Sequence, residues 1–231
     1  AINDPNATVG GNGNLVLNGV VSGADTNVFN KVGLGTVTLA NAANTIASQI
    51  EVAQGELAIT GGLTQANQLT NVRAGATLSG TGSIAGTVEV VNGGVLSAGV
   101  GGNGQVGQLT VGRLLLNEQS SLVFDLGDNY VIGGAQNDRV VVTGDLRLGG
   151  RLTVRQSTGG NFGLGVYNLF TYGGTLLAGS NGVDVQTLPG AFTGLVQTLV
   201  PGQVNLVVTR PGTFVQYWDG GDATGNGAVN G

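Results

Sequence analysis

Cysteine is absent from the 231-residue chain, and so is histidine. The first absence removes disulfides, thiolate nucleophiles and Cys-based zinc sites together. The second removes the usual general base and the commonest metal ligand, and with them any Ser/His/Asp triad. Charge is scarce as well. Charged residues make up 9% of the chain, only eight residues are basic, and the net charge is −5. Sequence-independent attachment to nucleic acid or anionic lipid lacks its electrostatic driving force on such a chain. No run of about twenty apolar residues exists, so nothing is expected to span a bilayer as a helix. The chain opens at Ala1 without a signal peptide, as a processed or excised piece would. Helix is disfavoured almost everywhere, because no dozen residues escape a Gly or a β-branched cluster.

What is plentiful is glycine, at 45 residues, set between short runs that alternate apolar residues with Ser, Thr or Asn. The phrase appears as GLGTVTLANAANT from Gly33, AQGELAITGG from Ala53 and RAGATLSGTGSIAGTVEVVNGGVLSAG from Arg73. It returns as GQLTVGRLLL from Gly107, TGDLRLGGRLTV from Thr143 and PGQVNLVVT from Pro201. Each unit supplies one short strand with a face that wants burial, and no unit can bury it alone. Stacked units can, so the alternation predicts an all-β solenoid rather than a linker. At about 20 to 25 residues per rung the chain makes roughly ten rungs, stacked to roughly 45 Å. In SLVFDL, Leu122, Phe124 and Leu126 share the inner face, and in RLTVR, Leu152 and Val154 do.

Texture changes along the chain. Up to about Gly104 there is one aromatic, Phe29, and strands are short; beyond it aromatics accumulate and strands lengthen. We therefore expect thin rungs over 1–104, wider rungs over 105–212, and a following module or linker over 213–231. Two separate domains meeting at Gly99 to Gly107 are the alternative. Asn41, Asn44, Asn67 and Asn71 either form side-chain ladders between rungs or serve as ordinary turn residues.

The run KVGLGTVTLANAANT from Lys31, followed by IEVAQGELAI from Ile50, resembles the autotransporter-associated β-strand repeat. VRAGATLSGTGSIAGTVEVVNGGVLSAG from Val72 is similar to the Gly-rich segment that follows it in passenger regions of bacterial autotransporters. LTVGRLLLNEQSSLVFDLG and NDRVVVTGDLRLGGRLTV resemble later rungs, and FVQYWDGGDATGNGAVNG from Phe214 resembles the start of a further module. The resemblance covers most of the chain from Lys31 onward. It implies a right-handed parallel β-helix, export through the outer membrane by a C-terminal barrel, and display at the cell surface. Attachment to host surfaces or to neighbouring cells is the implied role; a plain stalk and a polysaccharide-active enzyme are the alternatives. The barrel itself is not in this sequence.

Candidate sites are few, and no cofactor is implied. The acids are scattered; Asp125 and Asp128 form the nearest carboxylate pair, where a paired-carboxylate hydrolase would need two held about 5 to 9 Å apart. Asp222, Thr224, Asn226 and Gly227 stand at the spacing of the first half of a calcium loop, without its closing Glu. Arg147, Arg151 and Arg155, with Arg139 nearby, form a basic stripe suited to a sulfated or acidic glycan. Solvated strand faces partnered by Asp138 and Asp145 account for the same residues. The longest loops, around Ala98 to Gln108, Gln156 to Gly165 and Gly179 to Pro189, suit weak multivalent contact.

Overall fold

The computed structural model describes residues 4–212, apart from 25, 48, 101–103, 130–131, 134–135 and 180–181. Among the described residues there is no helix. In chain order the first coils hold β1 (Asn6–Gly10), β2 (Leu15–Leu17), β3 (Ser22–Gly23), β4 (Val28–Val32), β5 (Thr36–Leu39), β6 (Thr45–Ile46), β7 (Gln49–Val52), β8 (Gly55–Ile59) and β9 (Gly62–Leu63). The middle coils hold β10 (Leu69–Val72), β11 (Ala76–Gly80), β12 (Ser83–Val90), β13 (Val95–Ala98), β14 (Gln108–Leu116) and β15 (Ser121–Leu126). The last part holds β16 (Arg139–Val142), β17 (Leu146–Arg147), β18 (Arg151–Gln156), β19 (Gly165–Tyr172), β20 (Asp184–Thr187), β21 (Thr193–Gln197) and β22 (Gln203–Thr209).

These strands stack into a parallel β-helix. One sheet runs β1-β4-β7-β10-β12-β14-β16-β19, and a second runs β2-β5-β8-β11-β13-β15-β18-β20. The early coils carry a short third side, where β3 pairs β6 and β9 pairs β12. Both long sheets pass unbroken through residues 99 to 107, since β12 pairs β14 and β13 pairs β15.

Among the described residues the parallel strands of the first sheet make eight coils, against the roughly ten expected for the whole chain. Parallel pairs whose later residue lies at or before Ser97 are 18 to 23 apart, and those reaching beyond it are 26 to 34 apart. Each later coil spends its extra residues on longer loops and strands, so the same length makes fewer turns. The stack also ends differently from the way it begins. β22 pairs antiparallel with β19 and β21 pairs antiparallel with β22, which closes the first sheet with a reversed ribbon.

Alternation places the core. Val37, Leu57, Leu78, Leu96, Leu122, Leu152 and Val185 stand in register as one inward row of the second sheet. On the first sheet, Phe29, Ile50, Thr70, Val88, Leu114 and Leu146 form the matching row. All but Val185 are essentially buried, and each buried Leu or Ile side chain contributes about 1.5–3 kcal/mol over its exposed state. Thr70 is polar within its row, and exchanges hydrogen bonds with the equally buried Gln68. Aromatics thicken the later coils, where Phe124 meets Phe170 edge to face at 5.3 Å and Phe162 stacks on Tyr167 at 5.0 Å.

Glycine makes the corner between the two sheets. Gly33 (φ +71°) and Gly55 (φ +61°) stack coil on coil, and a Cβ on Gly55 would sit 2.4 Å from the Gly33 carbonyl oxygen. A side chain fits neither the left-handed backbone nor the gap. Asn44 secures the adjacent turn. It is fully buried, its Oδ1 accepts the Val21 N–H at 2.9 Å, and its Nδ2 donates to the carbonyls of Asn41 and Gly62 at 2.6 and 3.1 Å. Three coils are thus tied through one amide, to backbone rather than in an amide-on-amide ladder. Asn41 likewise reaches the Asn18 carbonyl one coil below, at 2.9 Å. Asn71 instead donates to Glu51 in the coil below, and Asn67 is an exposed turn residue.

Candidate functional site

The arginines divide between two faces. Arg151 and Arg155 project from the outer face of β18 on the second sheet, while Arg147 lies on β17 on the first sheet. Gly149 and Gly150 turn the chain between sheets at that point, so alternation alone cannot align the three into one stripe. Their acidic neighbours also differ from those expected. Arg147 Nη2 lies 3.3 Å from Glu89 Oε1 and also bonds Asn117. Arg155 grips Asp125 with two prongs, Nε to Oδ1 at 2.8 Å and Nη2 to Oδ2 at 3.1 Å. Arg151 makes no ion pair among the described residues; its register neighbours are Ser121 and Asp184. Arg139 Nη2 donates to Thr171 Oγ1 at 3.1 Å. Asp145 faces Arg113 at 3.8 Å, and Asp138 serves the backbone.

Asp138 forms an acidic corner with Asp125. Both are fully buried. Asp138 Oδ1 accepts the Gly107 N–H at 2.7 Å and its Oδ2 accepts the Asp125 N–H at 2.8 Å, so one carboxyl joins the segments before β14 and β16 to β15. Burial pushes the Asp138 carboxyl up to about 8, with the Asp125 charge adding to the rise; the two N–H groups and Arg155 oppose it. Asp128, the partner expected for Asp125 from sequence, is turned elsewhere. Its Oδ1 accepts the Asn161 N–H at 3.2 Å.

Lys31 is a functional group that the sequence patterns did not single out. It shares the inward parity of Phe29 on β4 and is completely buried. Its ammonium donates to the carbonyls of Val32, Gly33 and Gln54 at 3.1, 2.7 and 2.8 Å, bridging its own coil to the next. Burial holds its pKa below the ordinary lysine value, and the Glu56 charge offsets part of that. The signal was available: strand parity placed a cation inside, and the neighbouring glycine corner supplies bare carbonyls.

The second sheet carries a shallow groove of about 200 Å³. It crosses β8, β11, β13, β15 and β18, so it runs along the stack for about 19 Å. Glu56 stands at one end and Arg155 at the other, with Thr77, Ser79 and Ser97 between them. Glu56 accepts hydrogen bonds from Thr36 at 2.9 Å and from Ser79, which fixes its carboxylate along the stack. A row of hydroxyls between an acid and a base suits hydroxyl-rich or zwitterionic ligands held by several modest contacts.

No group of three or more metal-ligating side chains occurs among the described residues. The calcium-loop candidates Asp222, Thr224 and Asn226 lie outside the described residues, as does the whole segment 213–231. No helix among the described residues is long and apolar enough to cross a membrane.

No protein-family model matches the chain. It is 38% identical over 196 residues, 84% of its length, to an autotransporter adhesin of Brucella suis biovar 1 (strain 1330), BmaC. The chain spans about 6% of the length of that relative.

Proposed function

Because this chain belongs with the passenger regions of bacterial autotransporters, we propose that it is an adhesive segment of such a passenger. It is displayed at the cell surface after export through the outer membrane. On this reading it holds host surfaces or neighbouring cells through many weak contacts along its coils, and a C-terminal barrel elsewhere in the protein exports it. The observation that carries the reading is the 38% identity to an adhesin across 84% of the chain. The long groove of the second sheet supports it, since repeated shallow contacts add through effective concentration rather than through one deep pocket.

The test is a cell-free binding assay of the isolated chain on immobilised matrix proteins and glycans. Binding that weakens in Arg151→Ala, whose guanidinium has no ion-pair partner among the described residues, supports adhesion through the second sheet. A chain that binds no surface is a stalk. That second reading draws on the internal pairing of Arg147 with Glu89 and Arg155 with Asp125, which leaves these charges occupied within the fold.

A further inference from the structure

The closing ribbon of the solenoid opens a recess of about 380 Å³ on the outer face of the first sheet, a size in the range of small-molecule sites. Register builds its floor. Tyr167, Leu206 and Val196 point to the core, so their chain neighbours Asn168, Asn205 and Gln197 form one row on the outer face of β19, β22 and β21. Gln203 adds a fourth carboxamide, and Val166 and Val200, 40% and 44% exposed, add apolar walls. No charged side chain lines the recess among the described residues.

The carboxamides are wired to one another. The ladder slips by one residue between Asn168 and Phe170, and Asn168 spans the slip. Its Nδ2 donates to Phe170 O at 3.2 Å and to Asn205 Oδ1 at 2.9 Å, and Asn205 Nδ2 donates in turn to Gln203 Oε1 at 3.2 Å. A backbone carbonyl only accepts, so the Asn168 amide cannot be flipped, and both of its N–H groups are spent. Asn168 is only 7% exposed, yet its Oδ1 has no partner among the described residues, and neither has the buried Gln197 Oε1 at the other end of the row. Native folds leave few buried acceptors in that state.

The two open acceptors specify what fills the recess. They stand on β19 and β21 with β22 between, so their backbones are roughly 10 Å apart. A ligand must bring a donor to each end and an apolar face to Val166 and Val200. It must also be uncharged, since an anion would face carboxamide oxygens and a cation would meet no carboxylate. Peptide fits poorly. It brings a carbonyl with nearly every N–H, and the donors of Asn168 are already committed; nor can it enter as an added strand, because β22 is paired on both edges. A hydroxyl donates, accepts and rotates to suit, and a sugar ring sets several of them around a C–H face. We propose that this recess binds an uncharged glycan, with two linked hexose units lying across the ribbon. Hydroxyls donate to Asn168 Oδ1 and Gln197 Oε1, and a C–H face rests on Val166 and Val200. The site is separate from the groove of the second sheet and does not depend on adhesion through it.

The test is titration calorimetry of the intact 231-residue chain with neutral disaccharides of glucose, galactose, mannose or N-acetylglucosamine. A sulfated disaccharide and an uncharged blocked peptide of Ser and Val run beside them. Expected is millimolar binding of at least one neutral disaccharide, and weaker binding or none of the other two probes. Gln197→Ala, at a half-buried position, should weaken that binding about three- to tenfold, the loss of one uncharged hydrogen bond, with the unfolding midpoint unchanged. Asn168→Ala should weaken it at least as much, and its unfolding midpoint is read as well because Phe170 O loses a donor. Arg151→Ala should leave sugar binding intact, which separates a failure of this site from a failure of adhesion through the second sheet. A chain that takes up none of the neutral disaccharides overturns the proposal, as does binding that Gln197→Ala leaves untouched. Tighter uptake of the peptide assigns the recess to a protein partner and overturns it equally. Tighter uptake of the sulfated sugar, or a loss in Arg151→Ala, places the ligand on the arginines and does the same.

Discussion

Asp138 accepts the backbone N–H of Asp125 at 2.8 Å, so two acids thirteen residues apart share one buried corner of the solenoid. The pair makes folding stability depend on pH in an unusual direction. With its carboxyl pushed from 3.8 up to about 8, the folded chain keeps a proton at Asp138 that the unfolded chain releases near pH 4. The folded state therefore binds more protons between about pH 4 and 8, and this group's contribution falls as pH rises through that window. The slope is on the order of 1 kcal/mol per pH unit. Asp138→Asn cannot titrate, and its single acceptor oxygen cannot serve both N–H groups. Chemical unfolding should place the variant below the native protein at pH 5, and narrow or reverse the gap at pH 8. Parallel pH profiles for the two proteins would refute the assignment.

Asn44 predicts a larger loss than its size suggests. Replacement by Ala strands the Val21 N–H and removes a donor from two carbonyls, Asn41 and Gly62. Each buried group left unpaired costs about 1–3 kcal/mol. Asn44→Asp should fall between Ala and the native residue, because it keeps the acceptor for Val21 and loses the donor. Denaturant midpoints of the three proteins check this order; a neutral Ala variant would mean that water replaces the amide.

Lys31→Met keeps the aliphatic stem in the inward row and removes the ammonium from the carbonyls of Val32, Gly33 and Gln54. We expect destabilisation of about 2–4 kcal/mol, with stranded acceptors outweighing the relief of a buried charge. Amide hydrogen exchange should quicken first at the glycine corner around Gly33 and Gly55. A variant as stable as the native chain would show that the ammonium merely occupies space.

The coil stack was legible in the sequence because alternation with period two leaves each strand a single buried face, as Leu122, Phe124 and Leu126 illustrate. The number of coils was not, because the loops before β14, β16 and β19 add residues without adding turns. Nor was the antiparallel end, since Gln203–Thr209 alternates like any other strand and nothing in its residues sets direction. The glycine turn at 149–150 carries the chain from one sheet to the other, so Arg147 lies on a different sheet from Arg151 and Arg155, a separation that alternation along the sequence does not show. Asp138 met Asp125 only through register, which pairwise spacing along the chain does not reveal.

Glycine corners give the sharpest test of coil stacking. Gly55 and Gly75 both have positive φ, +61° and +78°, so an Ala at either position incurs the same left-handed penalty of about 1–2 kcal/mol. Their surroundings differ. A Cβ at Gly75 meets nothing within 4 Å, whereas one at Gly55 lies 2.4 Å from Gly33 O and 2.8 Å from Gly35 O. Those oxygens belong to the coil below, and the coil cannot move away without breaking the ladder that holds β5 against β8. Gly75→Ala should therefore lose only the backbone penalty, while Gly55→Ala should lose clearly more and expose β5 and β8 to hydrogen exchange together. Equal losses at the two positions would mean that the coils have room to separate at that corner.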